Sequence, residues 1–204
     1  RTSTKPSLQR NCAFGRFAQR KSQKKSYSAE VVLTNDANAA AMGEKIYGKA
    51  KNVRDFVMIT LGTGVGSGIF VDNKLVYGKS GFAGEAGHAI VQPEGRACGC
   101  GRHGCLETYC SATGIVRTAK ELLLNESTPS CLRTIKEDMI TAKDISDAAD
   151  KNDTLALKCF DITARYLALG LANVAVITSP EKIFISGGLS KAGKKLFKPL
   201  KEYF

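Results

Sequence analysis

DFVMITLGTGVGSGIFVDNKLVYG, residues 55–78, is the stretch that decides the fold. Its first half is a continuous apolar run that stops at glycine, which predicts a strand buried on both faces of a sheet. After the glycines, apolar and polar residues alternate on either side of Asp72-Asn73, which predicts a hairpin. The stretch therefore predicts neighbouring strands joined by a glycine-rich loop.

The segments on either side of this stretch alternate between strand and helix patterns. We expect strands at 29–36 (AEVVLTND) and 181–188 (EKIFISGG), and helices at 37–50, 110–125, 141–150, 152–178 and 189–204. The short helix begins with a capping box, Thr141-Ala-Lys-Asp144. The long helix is expected to bury one apolar stripe: Leu155, Cys159, Ile162, Tyr166, Leu169, Ala172 and Val176. This alternation predicts an α/β fold.

The net charge of +11 is concentrated at the start of the chain. Residues 1–29 hold eight Lys or Arg and no acid, whereas residues 30–204 hold 22 Lys or Arg against 19 Asp or Glu. The body of the chain is therefore an ordinary surface, and we do not expect nucleic acid as a partner. Three interpretations of 1–29 stay open: a basic tail that contacts RNA, DNA or acidic lipid, a solvated tail, or sequence foreign to the fold.

Composition also bears on where the protein acts. With 204 residues, 43% hydrophobic and 24% charged, the chain is typical of globular proteins. No stretch reads as the ~20 consecutive apolar residues of a membrane span, and the first residues lack a secretory apolar core. We therefore expect a cytoplasmic protein with no membrane partner, in which the seven cysteines are thiols or metal ligands.

A histidine followed by a cysteine-rich loop predicts a zinc site. His88, Cys98, Cys100 and Cys105 offer one imidazole and three thiolates, the ligand set of a closed, structural tetrahedral site. A chance cluster or a disulfide is the alternative. His103 lies inside the loop and is expected at the surface. The other cysteines are expected to be bystanders: Cys12, Cys110, Cys131 and Cys159.

Three further signals each allow a functional and an ordinary interpretation. The glycines of LGTGVGSG, 61–68, with the hydroxyl of Thr63, suit a phosphate cradle or a hairpin without a ligand. Asp36, after a strand and before a helix, suits a general base or a helix cap. Glu85 and Glu107 flank the cysteine loop and suit sugar hydroxyls or solvent.

Together the motifs TNDANAAAMGE, LGTGVGSGIF, GEAGH, CGCGRHGCLE and FISGGLS resemble the ROK family, and within it the glucokinase-like bacterial sugar kinases. The resemblance covers residues 30–204 and implies a ribonuclease-H-like, actin-like ATPase α/β fold of two lobes. The Asp-x-Gly-Gly-Thr motif that opens family kinases is not found in this sequence. We therefore expect 30–204 to be a partial kinase domain, mainly the C-terminal lobe, that lacks the N-terminal lobe and the extreme C-terminus.

The resemblance also implies roles for individual residues. Asp36 would be the catalytic base. The hexose would be bound by Asn35, Glu85, His88 and Glu107. ATP would be bound by Gly62, Thr63, Gly64, Gly187 and Gly188. Structural Zn²⁺ would be held by His88, Cys98, Cys100 and Cys105.

The function implied is ATP-dependent phosphorylation of a hexose, most simply glucose to glucose 6-phosphate, with Mg²⁺ on the ATP phosphates. Relatives suggest a homodimer or homotetramer. Two alternatives remain: a sugar-responsive repressor of the same family, and an inactive kinase fragment. Thr63 favours the kinase, because a phosphate-binding residue is needed only where ATP is used.

Overall fold

The structure is a computed structural model that describes residues 34–79 and 81–204. The helices, in chain order, are α1 (Asp36–Tyr47), α2 (Glu107–Cys110), α3 (Ala112–Asn125), α4 (Ala142–Asp150), α5 (Thr154–Thr178) and α6 (Lys194–Tyr203). The strands are β1 (Phe56–Leu61), β2 (Val65–Val71), β3 (Lys74–Leu75) and β4 (Lys182–Ser186). Short 3₁₀ helices occur at Ala86–His88, Cys131–Thr134, Glu137–Met139 and Leu189–Ala192.

The four strands form one mixed sheet in the order β3-β2-β1-β4. β1 runs antiparallel to β2, with Phe56 opposite Phe70, and parallel to β4. Asp72 and Asn73 join β2 to β3 with φ of 51° and 63°. Two positive φ values match the right-handed twist of a hairpin, so the predicted turn is confirmed.

The central strand β1 separates two apolar clusters. Val57, Ile59 and Leu61 belong to the large core that contains α3, α4 and α5. Phe56 and Met58 point to the other face, where they pack in a smaller cluster beneath α1. The prediction of a strand buried on both faces is therefore confirmed.

Helix α5 is the centre of the large core, but its buried stripe differs from the predicted one. Leu169 and Val176 were expected inside and are 45% and 86% exposed. The prediction followed one apolar residue per turn, but α5 carries apolar residues on more than one face, and packing against neighbouring helices selects among them. The buried face is Leu155, Ala156, Cys159, Phe160, Thr163, Ala164, Leu167, Ala168, Gly170, Leu171 and Val174.

The length and composition of α5 would also allow it to cross a membrane. The expectation that no segment has this character is therefore wrong for 154–178. Core helices of globular proteins share this length and composition, and 44% of the most apolar window of α5 is buried inside the fold.

The helix boundaries have local causes. Thr141 and Asp144 form both halves of the predicted capping box at the start of α4. The helix predicted at 110–125 is α3, which begins at Ala112 because Ser111 is extended and its hydroxyl caps the helix. The helix predicted at 37–50 is α1, which ends before Gly48. The strand predicted at 29–36 and the segment 1–29 fall largely or wholly outside the described residues.

Candidate functional site

The predicted metal ligands meet at one point. Ligand atoms of His88, Cys98, Cys100 and Cys105 all lie within 4.8 Å of one another. Nδ1 of His88 is 3.6 Å from Sγ of Cys98, and Sγ of Cys100 is 3.6 Å from Sγ of Cys105. A tetrahedron with metal–sulfur bonds of about 2.3 Å has edges of roughly 3.8 Å. The donor set and its spacing therefore fit a four-coordinate zinc ion.

The loop folds tightly because glycine allows it. Gly104 has φ of 75°, and a Cβ there would lie 1.6 Å from the carbonyl oxygen of Gln92. The same close approach lets Val91 N–H donate to the Gly104 carbonyl at 2.9 Å. His103 is exposed and lies outside the ligand group, as predicted. Of the other cysteines, Cys110 and Cys159 are buried, Cys131 is exposed and Cys12 lies outside the described residues.

The thiols differ in their surroundings. Burial raises the pKa of Cys98 and of Cys105 above the ordinary thiol value. At Cys100 burial acts in the same direction, but hydrogen bonds from Arg102, Cys98 and Cys105 together outweigh it and lower the pKa. Zinc binds thiolates, so binding would displace protons from this cluster.

A row of polar side chains leads away from the cysteines. Oε1 of Glu107 is 3.6 Å from Nδ1 of His88. The backbone N–H of His88 donates to the Glu85 carbonyl at 3.0 Å. Nδ2 of Asn35 donates to Oε1 of Glu85 at 3.2 Å, although these residues are 50 positions apart. The structure thus pairs the residues that the resemblance assigns to a sugar, Asn35 with Glu85 and His88 with Glu107, and a backbone bond joins the two pairs.

Asp36 directly follows Asn35, at one end of this row of polar side chains. It is the first residue of α1, but the cap belongs to its neighbour: Oδ1 of Asn35 accepts the Asn38 N–H at 2.6 Å. The Asp36 carboxylate is exposed, and its Oδ1 accepts the Ala37 N–H at 2.8 Å. Asp36 is therefore not the N-cap residue, although its carboxylate satisfies one backbone N–H of the first turn.

A cavity of about 450 Å³ lies where the glycine loop meets the end of β4. Gly187 has φ of 98°, and a Cβ on it would lie 2.4 Å from the Leu61 carbonyl oxygen. This close approach places Gly188 beside Gly62 and Thr63. The cavity is lined by Gly62, Thr63, Ala112, Ala142, Lys143, Ser146, Gly188, Leu189, Lys191 and Ala192.

The glycine loop is fixed from the side of α3. The Ala112 N–H donates to the Gly62 carbonyl at 2.8 Å, and the Thr113 hydroxyl donates to the Thr63 carbonyl at 2.9 Å. Gly64, predicted with the nucleotide residues, lies instead against Glu107. The loop therefore contacts both the cavity and the polar row.

Sequence reasoning missed the residues that hold these parts in place. The Arg96 guanidinium binds Glu121, the Thr118 hydroxyl and the carbonyls of Thr108 and Gly114, and it stacks on the Tyr109 ring at 4.4 Å. Its position two residues before the first loop cysteine was the only signal available.

Sequence reasoning also missed Ser67, Lys143 and Lys191. The Ser67 hydroxyl accepts the Ala86 N–H at 2.9 Å and donates to the Gly84 carbonyl, which fixes the GEAGH segment on β2. Lys143 and Lys191 line the cavity from separate segments. No local pattern marks any of them.

The ROK family model matches residues 11–204 of this chain. A glucokinase of Halalkalibacterium halodurans is 47% identical over 176 residues, which cover 85% of this chain and 53% of that protein. The chain spans about half the length of the curated glucokinases it matches.

Solved structures show the same fold. A ROK family glucokinase from Streptomyces griseus, in complex with glucose and AMPPNP, matches with a TM-score of 0.80 and 38% identity. The match covers 91% of this chain and 61% of that one. A ROK family transcriptional regulator, a homolog of the E. coli MLC protein, matches with a TM-score of 0.80 and 34% identity over 91% of this chain and 46% of that one. The mixed α/β fold is thus that of a ROK, actin-like ATPase lobe, as predicted.

Proposed function

The chain belongs to the ROK family, and we propose that it transfers the γ-phosphoryl group of ATP to a hexose, with glucose as substrate and glucose 6-phosphate as product. One observation carries the proposal: the 62–64 loop contacts a cavity on one side and the Asn35–Glu85–His88–Glu107 row on the other. A two-substrate transfer needs two adjoining sites of this kind. The similarity to glucokinases supports the choice of hexose.

The polar row suits the hydroxyls of a sugar. The amide of Asn35 offers a donor and an acceptor, and the carboxylates of Glu85 and Glu107 accept hydrogen bonds. Hydrogen bonds to charged acceptors contribute more than neutral ones. Zinc on the neighbouring cysteines would hold the loop that carries His88 and Glu107 without touching the phosphate.

The cavity suits a nucleotide. Its volume lies in the range of small-molecule sites, roughly 300–1,000 Å³. Gly62, Thr63 and Gly188 line it without bulky side chains, and we assign the hydroxyl of Thr63 to a phosphate oxygen. We also propose Gly187 as part of the nucleotide site, because its close approach to Leu61 places Gly188 at the cavity. Among the described residues, no carboxylate lines the cavity, so Mg²⁺ would arrive on the ATP phosphates, where it neutralises charge.

Asp36 would serve as the general base. Its exposed carboxylate takes the proton from the attacking hexose hydroxyl, whose oxygen forms the new bond to the γ-phosphorus while the bond to ADP breaks. The remaining catalysis comes from positioning the two substrates. We place this reaction in the cytoplasm, in a homodimer or homotetramer.

Replacing Asp36 tests the proposal. Asp36→Asn removes the base but keeps the shape, so turnover should fall by about 10²- to 10⁴-fold while glucose affinity changes little. Asp138→Asn is the matched control, because Asp138 is also an exposed acid in the first turn of a short helix. Equal turnover of the Asp36→Asn and Asp138→Asn proteins would refute the assignment of Asp36.

A second function has support of its own. The regulator related to the MLC protein matches this chain as well as the glucokinase structure does by TM-score. A repressor would use the basic start of the chain on DNA, and its affinity for duplex would fall steeply between 50 and 200 mM salt. A zinc-binding protein that catalyses no transfer is the inactive-fragment alternative, and a zinc-to-protein ratio near one with no heat on addition of glucose in calorimetry would support it.

A further inference from the structure

Two glycines of one short loop face different surroundings. A Cβ added to Gly62 would meet no atom within 4 Å, and Gly62 lines the cavity. A Cβ added to Gly64 would lie 2.8 Å from Oε2 of Glu107, closer than packed atoms allow. Neither residue has a positive φ, so alanine fits both backbones. The difference between the two positions is therefore the space beside them.

The Glu107 carboxylate is held between the loop and the metal ligands. Oε1 lies 3.0 Å from Sγ of Cys98 and 3.6 Å from Nδ1 of His88, while Oε2 lies over Gly64. The Glu107 side chain is only 24% exposed. A displaced carboxylate would therefore have to turn away from the metal ligands or out of the row.

Hydrogen bonds hold the glycine loop and the α2–α3 segment together. The Ser111 hydroxyl donates to the Glu107 carbonyl at 2.6 Å, and Ser111 is fully buried. The next residue, Ala112, donates its N–H to the Gly62 carbonyl, which ties α3 to the loop. An added methyl group at Gly64 would thus move the side chain of Glu107 and leave the fold in place.

We propose that Gly64 is a positioning residue for the hexose site: its missing side chain lets Glu107 lie against the loop in the orientation that binds a sugar hydroxyl. Gly62 and Thr63, in the same loop, serve the nucleotide. One loop thereby divides its residues between the two substrates. The hexose in this inference rests on the proposed function, whereas the effect of Gly64 on Glu107 does not.

The test compares four variants of the zinc-loaded full chain: Gly64→Ala, Gly62→Ala, Glu107→Asp and the Gly64→Ala/Glu107→Asp double variant. Two quantities are measured, the ¹³C side-chain carboxyl resonance of Glu107 by NMR and the glucose dissociation constant by calorimetry. Gly64→Ala should shift the resonance and weaken glucose binding roughly 10- to 100-fold, the effect of losing a hydrogen bond to a charged group. Gly62→Ala should change the glucose dissociation constant by less than about twofold.

The double variant separates positioning from general damage. Aspartate is one methylene shorter, so a methyl group on residue 64 no longer meets its carboxylate. Adding Gly64→Ala to Glu107→Asp should therefore change glucose affinity by less than about threefold, a non-additive result expected only of residues in contact. Should Gly64→Ala fail to fold, recovery of folding in the double variant supports the clash and continued failure overturns it.

The inference is overturned if Gly64→Ala leaves the Glu107 resonance unmoved, or if its effect on glucose affinity adds fully to that of Glu107→Asp. If the wild-type chain binds no glucose, the proposed function fails, and the Glu107 resonance alone decides the role of Gly64.

Discussion

Removal of the Arg96 guanidinium should destabilise the whole site at once. The Arg96 side chain is 8% exposed and links the segment before the cysteines to the helices behind it. It donates to Oε1 of Glu121 at 2.9 Å, to the Thr118 hydroxyl at 2.8 Å and to the Thr108 carbonyl at 2.7 Å. Leucine at position 96 would keep apolar bulk and lose every one of these bonds.

The expected cost follows from which partners are buried. Thr108 is buried, so its carbonyl is left without this donor, at a cost of about 1–3 kcal/mol. The Thr118 hydroxyl loses its bond to Arg96 but still reaches the Gly114 carbonyl, so it adds less. Glu121 is 52% exposed, and water can replace its ion pair at a cost below about 1 kcal/mol. Together, Arg96→Leu should lower the free energy of unfolding by about 2–4 kcal/mol.

Urea unfolding of the zinc-loaded chain, followed by far-UV circular dichroism, measures this cost. In thermal unfolding followed by the same signal, the melting temperature of Arg96→Leu should be lower by about 5–15 °C, because 1 kcal/mol corresponds to about 2–4 °C at this chain length. Glu121→Gln is the control and should cost less than about 1 kcal/mol. If Glu121→Gln costs as much as Arg96→Leu, or if Arg96→Leu is neutral, the buried hydrogen bonds of Arg96 do not hold the site together.

The other predictions concern metal, packing and pH. The chain should bind one zinc ion at His88, Cys98, Cys100 and Cys105. A chelator should lower the melting temperature of the wild type but not of Cys100→Ser, which lacks one of the four ligands. An equal response of both proteins to the chelator would contradict the zinc site. Gly43→Ala in α1 should raise the free energy of unfolding by about 0.5–1 kcal/mol, because a Cβ there meets nothing within 4 Å. Gly170→Ala in α5 should lower the free energy of unfolding by about 1–3 kcal/mol, because its Cβ would lie 2.6 Å from Cδ2 of Leu106. Urea midpoints that move in the same direction for both glycines would contradict this packing. Burial raises the pKa of the Cys159 thiol to about 12 from an ordinary 9.0. As the pH rises, the thiol ionises in the unfolded chain before it ionises in the folded chain. The contribution of the protonated thiol to the free energy of unfolding is therefore complete below about pH 9 and should decline toward pH 12. Urea midpoints measured at about pH 8 and about pH 10.5 for wild type and Cys159→Ala test this, and equal pH slopes would refute it.

Features coded by neighbouring residues could be predicted from the sequence. The hairpin turn needs only Asp72 and Asn73, and the capping box of α4 needs only Thr141 and Asp144. The zinc ligands fall within 18 consecutive residues, so their spacing alone indicated the site. In each case the interacting groups are close along the chain, where short-range chemistry dominates.

Features made by distant segments could not be predicted from local patterns. The bond between Asn35 and Glu85 joins residues 50 positions apart, and the cavity joins Gly62 to Lys143 and Lys191. The contact between Gly64 and Glu107 depends on how α2 packs beside the loop. These arrangements follow from tertiary packing, and only the likeness of the whole set of motifs to a family indicated which residues would meet.

Helix α5 shows a different limit. Its sequence is apolar on more than one face, so counting one apolar residue per turn could not select the buried stripe. The buried face combines large residues such as Phe160 and Leu167 with small ones such as Ala164. Packing against the neighbouring helices, and not the apolar pattern alone, decided which face was buried.

Formation of ADP by the zinc-loaded chain tests the central claim most directly. The chain is incubated with MgATP and, in turn, glucose, N-acetylglucosamine, N-acetylmannosamine or fructose, and ADP is measured with a coupled assay. We predict ADP formation that depends on hexose, is greatest with glucose and is lost in Asp36→Asn. ADP formation that is equal with and without hexose, or absent with all four, would contradict it.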